Sequence, residues 1–234
     1  MNTSTSTGAE SLVHFEAGLV TLEGNLTLPP DAQGIVLFAH GSGSSRHSPR
    51  NRYVARTLQQ AGLATLLIDL LTSHEEQSEA HTGHLRFDLG LLAERLLAAT
   101  NWVGLNPTTN DLAIGLFGAS TGAGAALMVA AERPDLIAAV VSRGGRPDLA
   151  GPDLPFVQAP TLLLVGGNDH TVLQLNRQAW LQLRAKEKQL LIVPGASHLF
   201  EEPGTLDQVA RLAAGWFSRY LHATGNVHAA TTGR

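Results

Sequence analysis

Six short, nearly unbroken apolar runs, at 35–39, 64–68, 112–117, 137–141, 161–165 and 189–193, alternate with segments of helical period. Runs this short, without polar alternation, are strands buried on both faces. The segments between and after them, 51–61, 85–102, 123–131, 173–185 and 206–222, carry apolar residues at helical spacing. Strand–helix alternation of this kind demands a mostly parallel sheet with helices on both faces. Upstream, 12–15 and 19–28 alternate apolar and polar positions around Ala17-Gly18 and extend one edge as an antiparallel pair. About eight strands follow, with helices on both faces and nothing that divides the chain. A single α/β domain over 12–222 is expected, with 1–11 and 223–234 as flexible ends.

At 234 residues and 44% apolar content, one ordinary core is sufficient. A net charge of −4 and a pI near 6.2 argue against a nucleic-acid partner, and no basic run suggests an anionic membrane surface. Cysteine is absent, which removes disulfides, thiolate metal sites and a cysteine nucleophile. The start lacks the basic and apolar regions of a signal peptide, and no apolar stretch is long enough to span a bilayer. The expectation is a cytoplasmic protein that acts on a small molecule.

The stretch that carries chemistry is Gly118-Ala-Ser120-Thr-Gly122, where the apolar run 112–117 gives way to an alanine-rich helix closed by Arg133-Pro134. This is the G-x-S-x-G form of a nucleophile elbow. A serine taken through so sharp a turn is strained and tolerates only small neighbours. Its hydroxyl stands clear of the sheet, and the N–H of Thr121 points at the place where an acyl oxygen would gather charge. Glycine and serine are common, so the pattern alone also reads as a tight glycine turn.

A serine hydroxyl needs a base, and the base an orienting carboxylate. The run 161–165 ends in Gly166-Gly-Asn-Asp169, and the run 189–193 ends in Pro194-Gly-Ala-Ser-His198. Ser120, Asp169 and His198 each follow the carboxyl end of a strand, where open parallel sheets gather their ligands. Taken singly, Asp169 reads equally as the cap of the next helix, and His198 as a surface histidine. Taken together, their order is that of one serine triad and not of the other protease folds. An early strand leads into His40-Gly-Ser-Gly-Ser-Ser45, whose small residues let backbone approach a substrate. The N–H of Ser42 is the expected partner of Thr121 in an oxyanion hole, and His40 is expected to be structural. The other readings of this loop are a flexible glycine-serine loop and a phosphate cradle, and the latter lacks the P-loop lysine.

These phrases identify the resemblance. Over roughly 12–222 the chain resembles the α/β-hydrolase superfamily, and within it the small, uncapped dienelactone-hydrolase-like esterases. The resemblance implies Ser120 as nucleophile, His198 as general base and later acid, Asp169 as its orienter, and Ser42 and Thr121 as oxyanion N–H donors. It implies no cofactor and no metal. Dienelactone hydrolases themselves use a cysteine nucleophile, so the serine moves the expected chemistry toward ordinary esters. The interval 142–160, where superfamily members insert a lid, is too short for a helical cap. An open cleft favours short or otherwise accessible acyl esters. A lactonase or an acyltransferase on the same triad is the nearest alternative, and a non-catalytic binding protein the alternative of another class. An aspartate would be required at the elbow for a haloalkane dehalogenase.

Arg143 lies just past a strand's carboxyl end, and Arg46 with His47 lies in the oxyanion loop. These three are candidates to grip a substrate carboxylate. The alternative for the arginines is a tie between loops, to Asp148 or Asp153. The stretch from Thr72 to His84 is rich in metal-capable side chains, but its spacing fits no tight ligand pattern. It reads as a solvated loop forming a wall of the cleft. Trp102, Trp180 and Trp216 read as packing residues.

Overall fold

The computed structural model describes residues 8–221. Their strands are β1 (Glu10–Ala17), β2 (Val20–Thr27), β3 (Gly34–Ala39), β4 (Ala64–Ile68), β5 (Ala113–Ala119), β6 (Ile137–Arg143), β7 (Thr161–Gly166) and β8 (Lys188–Val193). They form one sheet in the order β1-β2-β4-β3-β5-β6-β7-β8. The β1–β2 and β2–β4 pairs are antiparallel and the remaining pairs parallel. The strand order reverses between β3 and β5, so the connections that leave these neighbours diverge and open a crevice at their carboxyl ends.

The helices are α1 (Pro49–Gln60), α2 (Ser73–Thr82), α3 (Leu89–Leu105), α4 (Thr121–Glu132), α5 (His170–Gln182) and α6 (Thr205–Tyr220). On one face of the sheet Val54 and Leu58 of α1 and Val209, Ala213 and Phe217 of α6 pack with Phe38, Phe117 and Val141. On the other face Leu92, Leu96 and Ala99 of α3 and Ala125 to Leu127 of α4 pack with Leu37, Leu116 and Val140. Strands covered on both sides have no room for polar alternation. That is why their sequences are continuously apolar; β8 departs from the expectation of burial on both faces, because it is an edge strand of which only Val193 is buried.

Three further expectations are corrected. The helix expected over 85–102 is divided: Leu85–Phe87 forms a 3₁₀ turn, and α3 begins only after Asp88, whose side chain accepts the Leu91 N–H. Residues 10 and 11, assigned to a flexible end, pair in β1 with Thr27 and Leu26. The Thr72–His84 stretch is not a loop, because α2 occupies most of it. The other end, 223–234, lies outside the described residues, as does the His81 side chain. Between β6 and β7 stands only a 3₁₀ segment, Pro147–Phe156, so no cap domain is present there. The tryptophans pack: Trp102 lies against Phe15, Lys188 over Trp180, and Trp216 against Tyr220. Among the described residues no helix is long and apolar enough to cross a membrane.

A capping box and a cross-helix ion pair hold α2. Thr72 Oγ1 accepts the Glu75 N–H at 3.2 Å, and Glu75 Oε2 accepts the Thr72 N–H at 2.7 Å. The buried Arg95 guanidinium of α3 donates to both Glu75 oxygens, at 2.6 and 2.5 Å. This pairing, aided by the cap, holds the Glu75 carboxyl down from 4.5 to about 2. A folded-state value below the unfolded one contributes stability above about 4.5 that is lost as pH falls toward about 2. Glu75→Gln is therefore expected to lower the melting temperature at neutral pH. It should also flatten the decline between pH 4.5 and 2. Thermal melts across that range check this, and parallel curves for the two proteins would contradict it.

Candidate active site

Ser120 joins β5 to α4 with φ 50° and ψ −123°. L residues rarely adopt this region, and it costs about 1–3 kcal/mol. Missing side chains make the turn feasible. A Cβ on Gly118 would lie 2.3 Å from Ala123 Cα, and one on Gly122 2.3 Å from the Ala39 carbonyl oxygen. Neighbouring backbone then ties the bend. The Ser120 N–H donates to the Arg143 carbonyl at 3.3 Å, and the Ser120 carbonyl accepts from Arg146 N–H at 3.0 Å. Gly41 passes close by, since a Cβ there would lie 3.7 Å from Ser120 Oγ.

Asp169 follows β7 and His198 follows β8, and their loops are sewn together. The Asn168 N–H donates to the Ala196 carbonyl and its side-chain amide to the Gly195 carbonyl, both at 2.9 Å. Phe200, buried with φ 56°, anchors the far side of the histidine loop. Ser197 bonds to Glu202 first through its side chain and also through its N–H at 3.0 Å, holding that carboxyl below its usual range. His198 Nδ1 lies 2.7 Å from Asp169 Oδ2, while Oδ1 of the same carboxylate accepts the Val172 N–H at the start of α5. One carboxylate thus both caps α5 and holds the His198 ring. With Nδ1–H donated to Asp169, the basic nitrogen of His198 is Nε2. A Cβ on Gly144, the residue after Arg143, would lie 3.6 Å from His198 Nδ1. The 143–146 loop thus touches both Ser120 and His198.

The Ser42 N–H, expected to serve an oxyanion, donates to Thr121 Oγ1 at 2.9 Å. Ser42 Oγ donates to the Arg86 carbonyl at 2.8 Å, which uses its single proton. The 2.9 Å contact between the two hydroxyls is therefore Thr121 donating to Ser42. Sequence reasoning missed this relay. Its partners are 79 and 44 residues apart, with no local signal. His40 is structural, as expected: Nδ1–H donates to the Gly41 carbonyl, and Nε2 accepts the Leu70 N–H.

The three basic candidates part company. Arg46 is committed to Glu23, Asp69 and Asn25, at the β2–β4 side of the sheet. His47 is exposed. Arg143 is buried at 8% exposure and pairs with neither Asp148, which Arg146 takes, nor Asp153. Its Nη2 reaches Asn51 Oδ1 at 3.4 Å, while Nε and Nη1 lack partners. Burial first, and the nearby Arg50 cation second, push this guanidinium down to about 10. Among the described residues no three His, Asp or Glu side chains stand together as a metal site.

A model of the dienelactone hydrolase family matches residues 22–223, from β2 past the end of α6. The chain belongs to that family. Within it, the chain is 62% identical to a dienelactone hydrolase from Anabaena variabilis, with a TM-score of 0.90 over 92% of this chain and 99% of the other. Est1E of Butyrivibrio proteoclasticus shares the fold at 18% identity, with a TM-score of 0.73 over 89% of this chain and 98% of that one. Two Mycobacterium tuberculosis sequences, provisionally named phosphoribosyl transferases, are 57% identical over 213 residues, 91% of this chain. The chain spans about half the length of these curated relatives, 47%. The fold is accordingly that of an α/β-hydrolase without a cap domain.

Proposed function

We propose that this member of the dienelactone hydrolase family is a cytoplasmic serine carboxylic ester hydrolase acting on short or accessible acyl esters. What supports the reading most is the 2.7 Å pairing of His198 with Asp169, beside a separate loop, 143–146, whose backbone bonds to strained Ser120 and whose Gly144 lies against His198. Ser120 Oγ attacks the ester carbonyl carbon and its proton passes to His198 Nε2. The tetrahedral oxyanion meets the Thr121 N–H, which at the first turn of α4 has no intrahelical acceptor. Collapse breaks the bond to the alcohol, which leaves with the proton from His198. Water repeats the sequence on the acyl-enzyme, and no step requires a metal or cofactor. The same triad opens a lactone or passes the acyl group to another acceptor. The uncapped cleft favours water in that role and so favours hydrolysis. The transferase name is not carried over, because more than half of each sequence bearing it lies outside the matched region.

A series of p-nitrophenyl esters from acetate to laurate is expected to show kcat/KM falling with chain length. A fluorophosphonate should add its mass to the peptide that bears Ser120. Preference for long chains overturns the substrate reading, and an adduct elsewhere overturns the mechanism.

Of the basic candidates, Arg143 best fits a substrate carboxylate, since its unengaged N–H groups lack an anion. Arg143→Ala is then expected to cost about 10- to 100-fold in kcat/KM on a carboxylate-bearing ester, the worth of a charged hydrogen bond. The neutral ester of equal size should lose little. An equal loss on both sinks the assignment.

A further inference from the structure

We propose that the second oxyanion donor is the Thr121 hydroxyl, with the Ser42 N–H standing behind it as the group that polarises it. This rests on Ser120 being the nucleophile. A backbone N–H has one proton, and that of Ser42 is already given to Thr121 Oγ1 at 2.9 Å. For Ser42 to serve the oxyanion directly, this bond must be surrendered or shared. The Thr121 proton is differently placed. It rests on Ser42 Oγ, an acceptor whose own proton goes to the Arg86 carbonyl. Turning the Thr121 hydroxyl about its Cβ–Oγ bond releases that link without moving a heavy atom.

The exchange favours the reacting state. In the resting enzyme Thr121 donates to a neutral hydroxyl; in the tetrahedral state it donates to an anion, a bond roughly twice as strong. The Ser42 N–H, kept on Oγ1 throughout, strengthens the hydroxyl as a donor, as hydrogen bonds in series do. Thr121 is the first residue of α4, so its own N–H is unclaimed within the helix and serves the same oxygen. One residue thus presents two donors at a helix N-terminus, where negative charge is already favoured. The relay is held from outside. Arg86 donates through N–H and Nε to Glu79 Oε2 at 3.1 and 3.3 Å, fixing the carbonyl that Ser42 uses to α2. Threonine also suits the role because its β-methyl restricts χ1.

The test compares Thr121→Val, which keeps shape and loses the hydroxyl, with Thr121→Ser, which keeps the hydroxyl. Thr121→Ala serves if valine impairs folding, as judged by thermal melting. On p-nitrophenyl acetate, Thr121→Val is expected to lose about 10²- to 10³-fold in kcat, the effect of removing one oxyanion donor, with KM within about twofold. Thr121→Ser should recover most of that loss. The Ki of an alkyl trifluoromethyl ketone, whose carbonyl oxygen becomes the oxyanion of a hemiketal with Ser120 and uses the same donors, should rise in step with the fall in kcat/KM. If Thr121→Val keeps or gains kcat, the hydroxyl is only a competing acceptor and Ser42 donates directly. Thr121→Ser as slow as Thr121→Val likewise overturns the proposal. The nucleophile reading fails by a separate sign, fluorophosphonate leaving Ser120 unlabelled in the unsubstituted enzyme.

Discussion

Ser120→Ala is expected to lower kcat on p-nitrophenyl acetate by about four to six orders of magnitude, with the fold intact. The substitution removes one oxygen and nothing else. Alanine keeps the Cβ, so the backbone at φ 50° remains as strained as with serine. The residual rate would come from substrate binding and oxyanion donors acting on water. Ser120→Gly separates strain from chemistry. It should be equally inactive yet more stable than Ser120→Ala by about 1 kcal/mol, because glycine enters this region without steric cost. Initial rates and urea denaturation on both variants measure the two effects. An active Ser120→Ala enzyme would falsify the mechanism, and a less stable glycine variant would remove the case for strain at the elbow.

Gly122→Ala is expected to destabilise the fold by about 4 kcal/mol or more, in the range reserved for overpacking against something rigid. The added Cβ would stand 2.3 Å from the Ala39 carbonyl oxygen and 2.5 Å from that of His40. Both are backbone atoms at the end of a buried central strand, so neither yields as a side-chain tip would. Gly215→Ala provides the opposite sign in the same molecule. Gly215 is interior to α6 and a Cβ there meets nothing within 4 Å. Alanine there should therefore stabilise by about 0.5–1 kcal/mol. Chemical denaturation of the two variants gives the comparison, and a mild loss at Gly122 would mean that α4 can move away from β3.

The parts of the molecule legible in sequence are those with a local cause. Strands buried on both faces are written as apolar runs, and β3 to β7 follow them closely; the run at β8 marks a strand too, but one at the sheet edge and only partly buried. Ser120, Asp169 and His198 each follow such a run, and the topology delivers strand ends to one edge. The 2.7 Å contact between Asp169 and His198 is a product of that placement. Helix α2 escaped because it presents little apolar surface and no helical periodicity, although Thr72 and Glu75 stand at capping-box spacing. That spacing is a local helix signal set within an otherwise polar stretch. Asp88 was likewise readable as a cap, but the apolar period on either side of it suggested one longer helix. The hydroxyl relay through Ser42, Thr121 and Arg86 had no such local trace, nor did the commitment of Arg46 to Glu23 and Asp69. Those pairings are decided by the meeting of distant loops.

Asp169 spends one carboxylate oxygen on the start of α5 and the other on His198. A lineage held only to heat resistance, with no demand on turnover, would still retain this aspartate for the sake of its helix. Under the proposed mechanism, catalysis regained in such a lineage would begin with the histidine's carboxylate partner already in position, needing only the serine and the histidine to return.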